Sequence, residues 1–396
     1  AAPPGAPCRR AAAALHTIFI MRSSPHAILI SCIAGTLGAA DPAIAVFAGD
    51  PCTTLTVRVL GNAPLTAIAI TGPDGVARTL DVAVRPLGET GQVLSEAQAE
   101  GLSPATLYRF SAGDTELLRA RTLPATLPLR LANGGDLMHE PAWLRATCVV
   151  AAQQRPQAVV VGGDWAYEDG NWAKFARWTA LLAIWAETMR DPDGVAIPVI
   201  AGIGNHELPK SGGDPALTPY GQLFPEPHPR AVDIGAQTSL IMLDSGHGRS
   251  VAAQNQWLEE ALAARRGRTW TIAAYHVPAW PSVRAFDDAR SREVRAHWPQ
   301  RFEPGGVDLA LEHHDHALKR THPLLDGKPA DGGIVYLGDG CWGVKPRPVA
   351  TDRAYIAQSQ AIFHVWILDL AADACTATAY SQDGAKLDEV VVRPRP

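Results

Sequence analysis

The sequence predicts a layered α/β domain over residues 128–396, preceded by a small all-β unit over residues 41–124, and three observations point there. After residue 128, short β-branched or apolar runs alternate with stretches whose apolar residues recur at helical spacing, as in a sheet with helices packed on it. Before residue 124 the pattern has period two, broken by turn residues. Composition also changes between the two parts: every Trp lies at or after Trp143, and all but two of the 13 His lie at or after His139, although nearly a third of the chain precedes them. The change falls at Thr122-Leu123-Pro124-Ala125-Thr126-Leu127-Pro128, a proline-bearing joint of the kind that links domains.

Length and charge bound the rest. A chain of 396 residues has room for one to three domains and a sizeable core. With 47% apolar and 19% charged residues, and modest glycine and proline, disorder, collagen and coiled coil are excluded. A formal net charge of −5 leaves no general basic field for nucleic acid or an anionic membrane, so any anion has to be drawn locally.

Residues 1–40 read as a leader. No Asp or Glu precedes Asp41, and Met21-Arg22 stand ahead of a thirteen-residue stretch, Ala27 to Ala39, followed by small residues. That stretch is too short to span a bilayer and has the form of a secretory signal, so a periplasmic or secreted protein without a transmembrane anchor is expected. The six Cys, at 8, 32, 52, 148, 341 and 375, include no CxxC pair, which leaves a zinc knuckle or thioredoxin-type motif unsupported. With the leader removed four remain, and an exported protein could use one or two pairs as disulfides.

In the first unit, Leu55 to Val59, Thr66 to Ile70 and Val82 to Val84 alternate, and Pro73-Asp74-Gly75 supplies a turn. The segment from Gly101 to Phe110 resembles the turn into a late strand of a fibronectin type III-like sandwich, in which the hydroxyl of a Tyr such as Tyr108 bonds back to the backbone upstream. In the second unit the candidate strands are Leu127 to Ala132, Ala158 to Val161, Ile197 to Ala201, Ser239 to Leu243, Thr271 to Tyr275 and Val307 to Leu311. Ala142 to Gln154, Trp172 to Met189 and Asn255 to Arg265 read as helices between them. Ile334 to Leu337, Ile362 to Leu370 and Cys375 to Tyr380 run strand after strand and suggest a second sheet closing the layer.

Functional groups in open α/β sheets collect beyond the carboxyl ends of the strands. Here those positions read Gly135-Asp136, Gly163-Asp164-Trp165-Ala166-Tyr167, Gly204-Asn205-His206-Glu207, Tyr275-His276-Val277-Pro278 and His313-His314-Asp315-His316. Each supplies a hard oxygen or an imidazole. One such tip is usually a turn or a cap; five in order along one domain point to a metal centre.

These motifs resemble those of the calcineurin-like metallophosphoesterases and, within them, the purple acid phosphatases: GDxG, GDxxY, GNH(D/E), a strand-end His and GHxH. The resemblance covers most of residues 128–396 and extends to the fibronectin-like unit. It implies a four-layer α/β/β/α sandwich and two metal ions, with Asp136, Tyr167 and His316 at one, Asn205, His276 and His314 at the other, and Asp164 bridging. Two carboxylates and a phenolate suit Fe(III), whereas Asn and two imidazoles suit Zn(II), Mn(II) or Fe(II). Tyr167 separates this subset from the wider superfamily. The implied activity is phosphate ester hydrolysis by a metal-activated hydroxide attacking in line, on a small phosphorylated substrate. His206, beside Asn205, is the expected proton donor to the leaving group, with Asp169 orienting its ring. Met138 and His313 stand where the pattern has Gly; His313 is a candidate second proton donor, and Met138 would add bulk beside the first ion. The stretch Pro278 to Arg284 lacks the histidines that plant-type relatives place there. An acid phosphatase is the leading expectation, with a phosphodiesterase of the same fold or an inactive surface binding module as the alternatives. A structural site is disfavoured, because closed structural sites take four Cys or His.

Overall fold

The computed structural model describes residues 41–338 and 340–395, so the leader read over residues 1–40 lies outside the described residues. Eight strands come first: β1 (Ala43–Val46), β2 (Leu55–Gly61), β3 (Ile68–Thr71), β4 (Ala77–Leu80), β5 (Ala83–Pro86), β6 (Val93–Ala99), β7 (Leu107–Ala112) and β8 (Thr115–Arg121). β1, β2, β6 and β5 lie side by side, and β4-β3-β7-β8 form a separate sheet. Apolar residues of both, Leu55, Val57, Ile68, Ile70, Phe110 and Leu118 among them, share one core, which makes the β-sandwich that the alternation predicts. The Tyr108 hydroxyl accepts the backbone N–H of Ser103 at 2.9 Å, the upstream bond expected of it.

The next elements are β9 (Leu129–Gly134), α1 (Pro141–Gln153), β10 (Ala158–Val161), α2 (Ala176–Thr188), β11 (Val199–Ala201) and the short α3 (Pro219–Leu223). Pro141 opens α1 at a position where its missing N–H has no partner to lose. β9, β10 and β11 are parallel, and β1 runs parallel to the far side of β11, with Val46 opposite Val199. Four of the eight strands over 41–124, β1, β2, β6 and β5, therefore continue the sheet of the second unit, and the joint at 122–128 leads from β8 of the separate sheet to β9.

The second half contains β12 (Arg230–Ile234), β13 (Thr238–Met242), α4 (Asn255–Ala263), β14 (Trp270–Ala274), α5 (Ala289–His297), α6 (Pro299–Gly305) and β15 (Leu309–Leu311). After them come β16 (Leu318–Thr321), the hairpin β17 (Leu324–Leu325) and β18 (Lys328–Pro329), β19 (Val335–Gly338) and β20 (Ile356–Gln360). The chain closes with β21 (His364–Leu370), β22 (Cys375–Ser381) and β23 (Lys386–Val392). One sheet has the order β23-β22-β21-β9-β10-β11-β1-β2-β6-β5, and the other β12-β13-β14-β15-β19-β16-β20.

Four layers follow from strands buried on both faces. Along β10, Ala158 and Val160 face the core between the sheets, while Val159 and Val161 face α1 and α2. Beyond the second sheet, Leu258, Leu262, Val294 and Phe302 of α4, α5 and α6, with Trp298 between the last two, share a core with Ile241, Ala273 and Ala310. The late strands depart from expectation: β19 joins the second sheet, but β21 pairs antiparallel with β9 and carries β22 and β23 onto the first sheet's edge. Along β21, Trp366 and Leu368 enter one core and Val365 and Ile367 the other, so this strand needs helices on one side and a sheet on the other. Cys52, Cys148, Cys341 and Cys375 are buried free thiols, so the disulfides open to an exported protein do not form among them.

At the entry to β15, the buried carboxylate of Asp308 accepts the N–H groups of Thr271 and Arg395, each at 2.7 Å. Burial pushes it from 3.8 up to about 6, so folding is favoured by its protonation. That contribution is complete below the unfolded value and is lost as pH rises through about 6, a change of roughly 2–3 kcal/mol. Chemical denaturation at pH 4, 5, 6 and 7 should accordingly give a shallower decline for Asp308→Asn than for the parent; parallel curves would refute the assignment.

Candidate metal centre

The predicted ligands sit on tight turns at the carboxyl ends of five parallel strands, three in one sheet and two in the other: Asp136 after β9, Asp164 and Tyr167 after β10, Asn205 after β11, His276 after β14, and His314 and His316 after β15. The turns are strained. Asp136, Asp164, Tyr167, Asp169, His314 and His316 have φ between 54° and 78°, a region non-glycine residues rarely adopt and one that concentrates at functional sites.

Two groups of donor atoms result. In the first, the Tyr167 hydroxyl donates to Asp136 Oδ1 at 2.8 Å and lies 3.1 Å from His316 Nε2, which is itself 3.1 Å from Asp136 Oδ1. In the second, His276 Nε2 stands 3.0 Å from His314 Nδ1, 3.1 Å from Asp164 Oδ2 and 3.2 Å from Asn205 Oδ1. The groups adjoin, because Asp136 Oδ2 accepts the His314 N–H at 2.8 Å.

This donor set fits metal ions. Ligand atoms each about 2.1 Å from one ion and at right angles stand about 3.0 Å apart, the separations found here. Asp164, His276 and His314 alone place three ligand atoms within 4.8 Å of one another. The electrostatics agree. Burial pushes the His276 imidazole down, but the carboxylates of Asp164 and Asp136 more than reverse this and hold it at about 9. Two buried carboxylates thus call for positive charge, and an ion binding there displaces a proton. Burial, reinforced by His276, holds His314 well below its ordinary value, as a neutral ligand. Burial and the charge of Asp136 push the Tyr167 phenol well up, so a strongly polarising cation is needed to make a phenolate of it.

His206 lies at the edge of the second group, its side chain 28% exposed and thus open to a ligand. Nδ1 is 2.6 Å from Asp169 Oδ1, Nε2 is 3.9 Å from Asp164 Oδ2, and the ring packs on Tyr167 at 4.2 Å between centroids. His313, expected as a second proton donor, does not face this site. It is fully buried behind it, with Nδ1 2.8 Å from the Tyr275 carbonyl and Nε2 3.2 Å from Asn133 Oδ1. The ring occupies the space above Gly162, where a Cβ would come within 1.9 Å of it, so His313 fills the gap between the sheets and is removed from the catalytic set. Met138 likewise turns into the core beneath α1 and α2, leaving only its carbonyl, which accepts from Arg177.

Several supports escape a reading by ligand motif. Glu207 accepts the N–H groups of Gly204, Asp164 and Trp165 at 2.6–2.8 Å, tying the Asp164 turn to the Asn205 turn. Asp315 does the same for the His276 and His314 loops, accepting from Ser282 and Val283 at 2.8 and 2.7 Å. Both stand inside the motifs, Asp315 between His314 and His316 and Glu207 two residues after Asn205. His139 sets its ring edge-on to Tyr167 at 4.5 Å and to His316 at 5.8 Å.

A family model described as calcineurin-like phosphoesterase matches residues 138–318, a span that takes in every predicted ligand but Asp136. Among solved structures, the purple acid phosphatase PPD1 from yellow lupin (Lupinus luteus) seeds is similar with a TM-score of 0.73 and 14% identity, over 90% of this chain and 75% of that one. PhoD gives a TM-score of 0.64 at 12% identity, covering 88% of this chain and 91% of its own. GAP50, the anchor in the inner membrane complex of Plasmodium, gives 0.50 at 13% identity over 68% and 90%. Identities this low carry the fold and not the activity. Among curated protein sequences, none is similar enough to count as a relative.

Proposed function

Because the chain carries a calcineurin-like phosphoesterase domain and is a phosphoester hydrolase, we propose that it is a purple-type acid phosphatase acting on small phosphate monoesters. Asp136, Tyr167 and His316 would hold a trivalent iron, Asn205, His276 and His314 a divalent zinc, manganese or iron, and Asp164 would join them. The contact of the Tyr167 hydroxyl with Asp136 and His316 carries this reading, since a phenol among carboxylate and imidazole suits a hard trivalent ion. When bound, such ions supply positive charge for the phosphoryl oxygens and make a nearby water more acidic.

The chain's own groups do the rest. With Nδ1–H donated to Asp169, the His206 ring is held so that a proton on Nε2 points into the site. A water oxygen bonds to phosphorus as the ester P–O bond breaks. The leaving oxygen takes the proton from His206 Nε2, and the proton shed by the water restores it. Arg284 is held by the His314 carbonyl at 2.8 Å and paired with Asp315 Oδ1 at 2.7 Å, so its charge is balanced and it braces the His314 loop. The leader over residues 1–40 supports export to the periplasm or beyond. Among the described residues no helix is long and apolar enough to cross a membrane.

Metal analysis with visible spectroscopy tests this. Purified protein should hold two ions per chain and show a tyrosinate-to-iron band that disappears in Tyr167→Phe, and it should turn over an aryl phosphate faster than a bis-aryl phosphate. Colourless protein with two divalent ions would remove the iron assignment, and faster diester turnover would remove the monoester preference.

A further inference from the structure

A cleft of about 520 Å³ opens beside His206, lined by Asp169, Gly170, Trp172, Lys174, Pro209 and Lys210. It lies between residues 169–174, which follow the turn that carries Asp164 and Tyr167, and residues 209–210, which follow the turn that carries Asn205 and His206. The two turns meet closely: Gly170, at φ 64°, lies where a Cβ would come within 2.5 Å of Pro209 Cδ, so a side chain there would push the walls apart. One wall is a fixed aromatic surface. Trp172 donates its indole N–H to the Leu217 carbonyl at 2.9 Å and stacks on buried Phe175 at 5.6 Å, and Leu217 beside it is 73% exposed.

The charge in this cleft is unbalanced. Asp169 Oδ2 takes Lys174 Nζ at 2.5 Å, so those two cancel. Lys210 has no ion-pair partner among the described residues, which leaves one net positive charge at the mouth. Asp169 is shared between cleft and site, since its other oxygen holds His206. The cleft thus adjoins the side chain proposed to protonate the leaving oxygen.

We propose that the cleft is the leaving-group subsite, and that it selects phosphate esters whose alcohol part combines a planar or apolar body with a further anionic group. The body lies along Trp172 and Leu217, and the anion faces Lys210. This deepens the reading of the site as a phosphomonoesterase and rests on it.

The test compares phenyl phosphate with 4-carboxyphenyl phosphate on the metal-loaded protein, taking the ratio of their kcat/KM values within each variant so that any general loss cancels. Lys210→Glu should lower the carboxylated-to-neutral ratio about ten-fold, mainly through KM, and added salt should lower the parent's ratio toward that of the variant. Lys328→Glu on β18 makes the same change in net charge at an exposed position and should leave the ratio where it was. A ratio unmoved by Lys210→Glu, or moved equally by Lys328→Glu, would overturn the subsite alone. Absence of turnover with both esters would overturn the subsite together with the phosphatase reading beneath it.

Discussion

Asp164→Asn is expected to lower kcat/KM by about a thousand-fold or more and to leave the purified protein short of its second ion. The change is nearly isosteric and keeps an acceptor for the His206 N–H, which now meets Oδ1 at 2.8 Å. What it removes is the charge on Oδ2, 3.1 Å from His276 Nε2, in a site with almost no exposure to water. With that charge gone, the attraction that holds a cation among His276, His314 and Asn205 weakens, and the two groups of donors lose the carboxylate proposed to join them. Metal content by elemental analysis and turnover should fall together. Wild-type metal content with wild-type turnover would end the case for a shared carboxylate.

His206→Ala should give the second-largest effect, and its size should depend on the alcohol released. A proton donor matters most when the departing oxygen is strongly basic, so an alkyl phosphate should lose about 10²- to 10⁴-fold, whereas a nitrophenyl phosphate, whose phenolate leaves unaided, should lose far less. Asp169→Asn acts on the same ring through one bond, the 2.6 Å contact to Nδ1. It should produce a smaller loss with the same dependence on the leaving group. Equal losses for alkyl and nitrophenyl esters in His206→Ala would assign the ring to binding and not to proton transfer.

Both variants involve residues that stand out in the sequence, and the reason is local. A ligand that must lie at the tip of a strand is fixed by a strand, a tight turn and one polar side chain, all within a few residues, so Asp136, Asp164, Asn205, His276 and His314 are legible from runs such as Ala158 to Val161 and the residues just after them. Helices with a wide apolar stripe were equally plain; α1 and α2 lie almost where the spacing predicts. α5, by contrast, reads Ala-Arg-Ser-Arg-Glu-Val-Arg-Ala-His and buries little besides Ser291 and Val294, so it has no stripe to find, although Asp288 caps it by accepting from Arg290 and Ser291.

His313 shows where local reasoning stops. Its position between β15 and His314 is evident in the sequence, but the direction of its ring depends on Gly162 and Asn133, more than a hundred residues earlier, and on a strand in the other sheet. The same holds for β21, whose place beside β9 is a matter of pairing between segments over two hundred residues apart.

The sequence by itself determined the strand-end tips, the chemistry of their donor atoms and the alternating strands before residue 124, because each rests on neighbours along the chain. Tertiary structure alone decided that four strands of the first part continue the sheet of the second, that His313 serves packing, and that an uncompensated lysine faces a cleft beside His206. Those outcomes depend on which surfaces meet across the two sheets, and residues distant in sequence carry no local signal of their eventual contact.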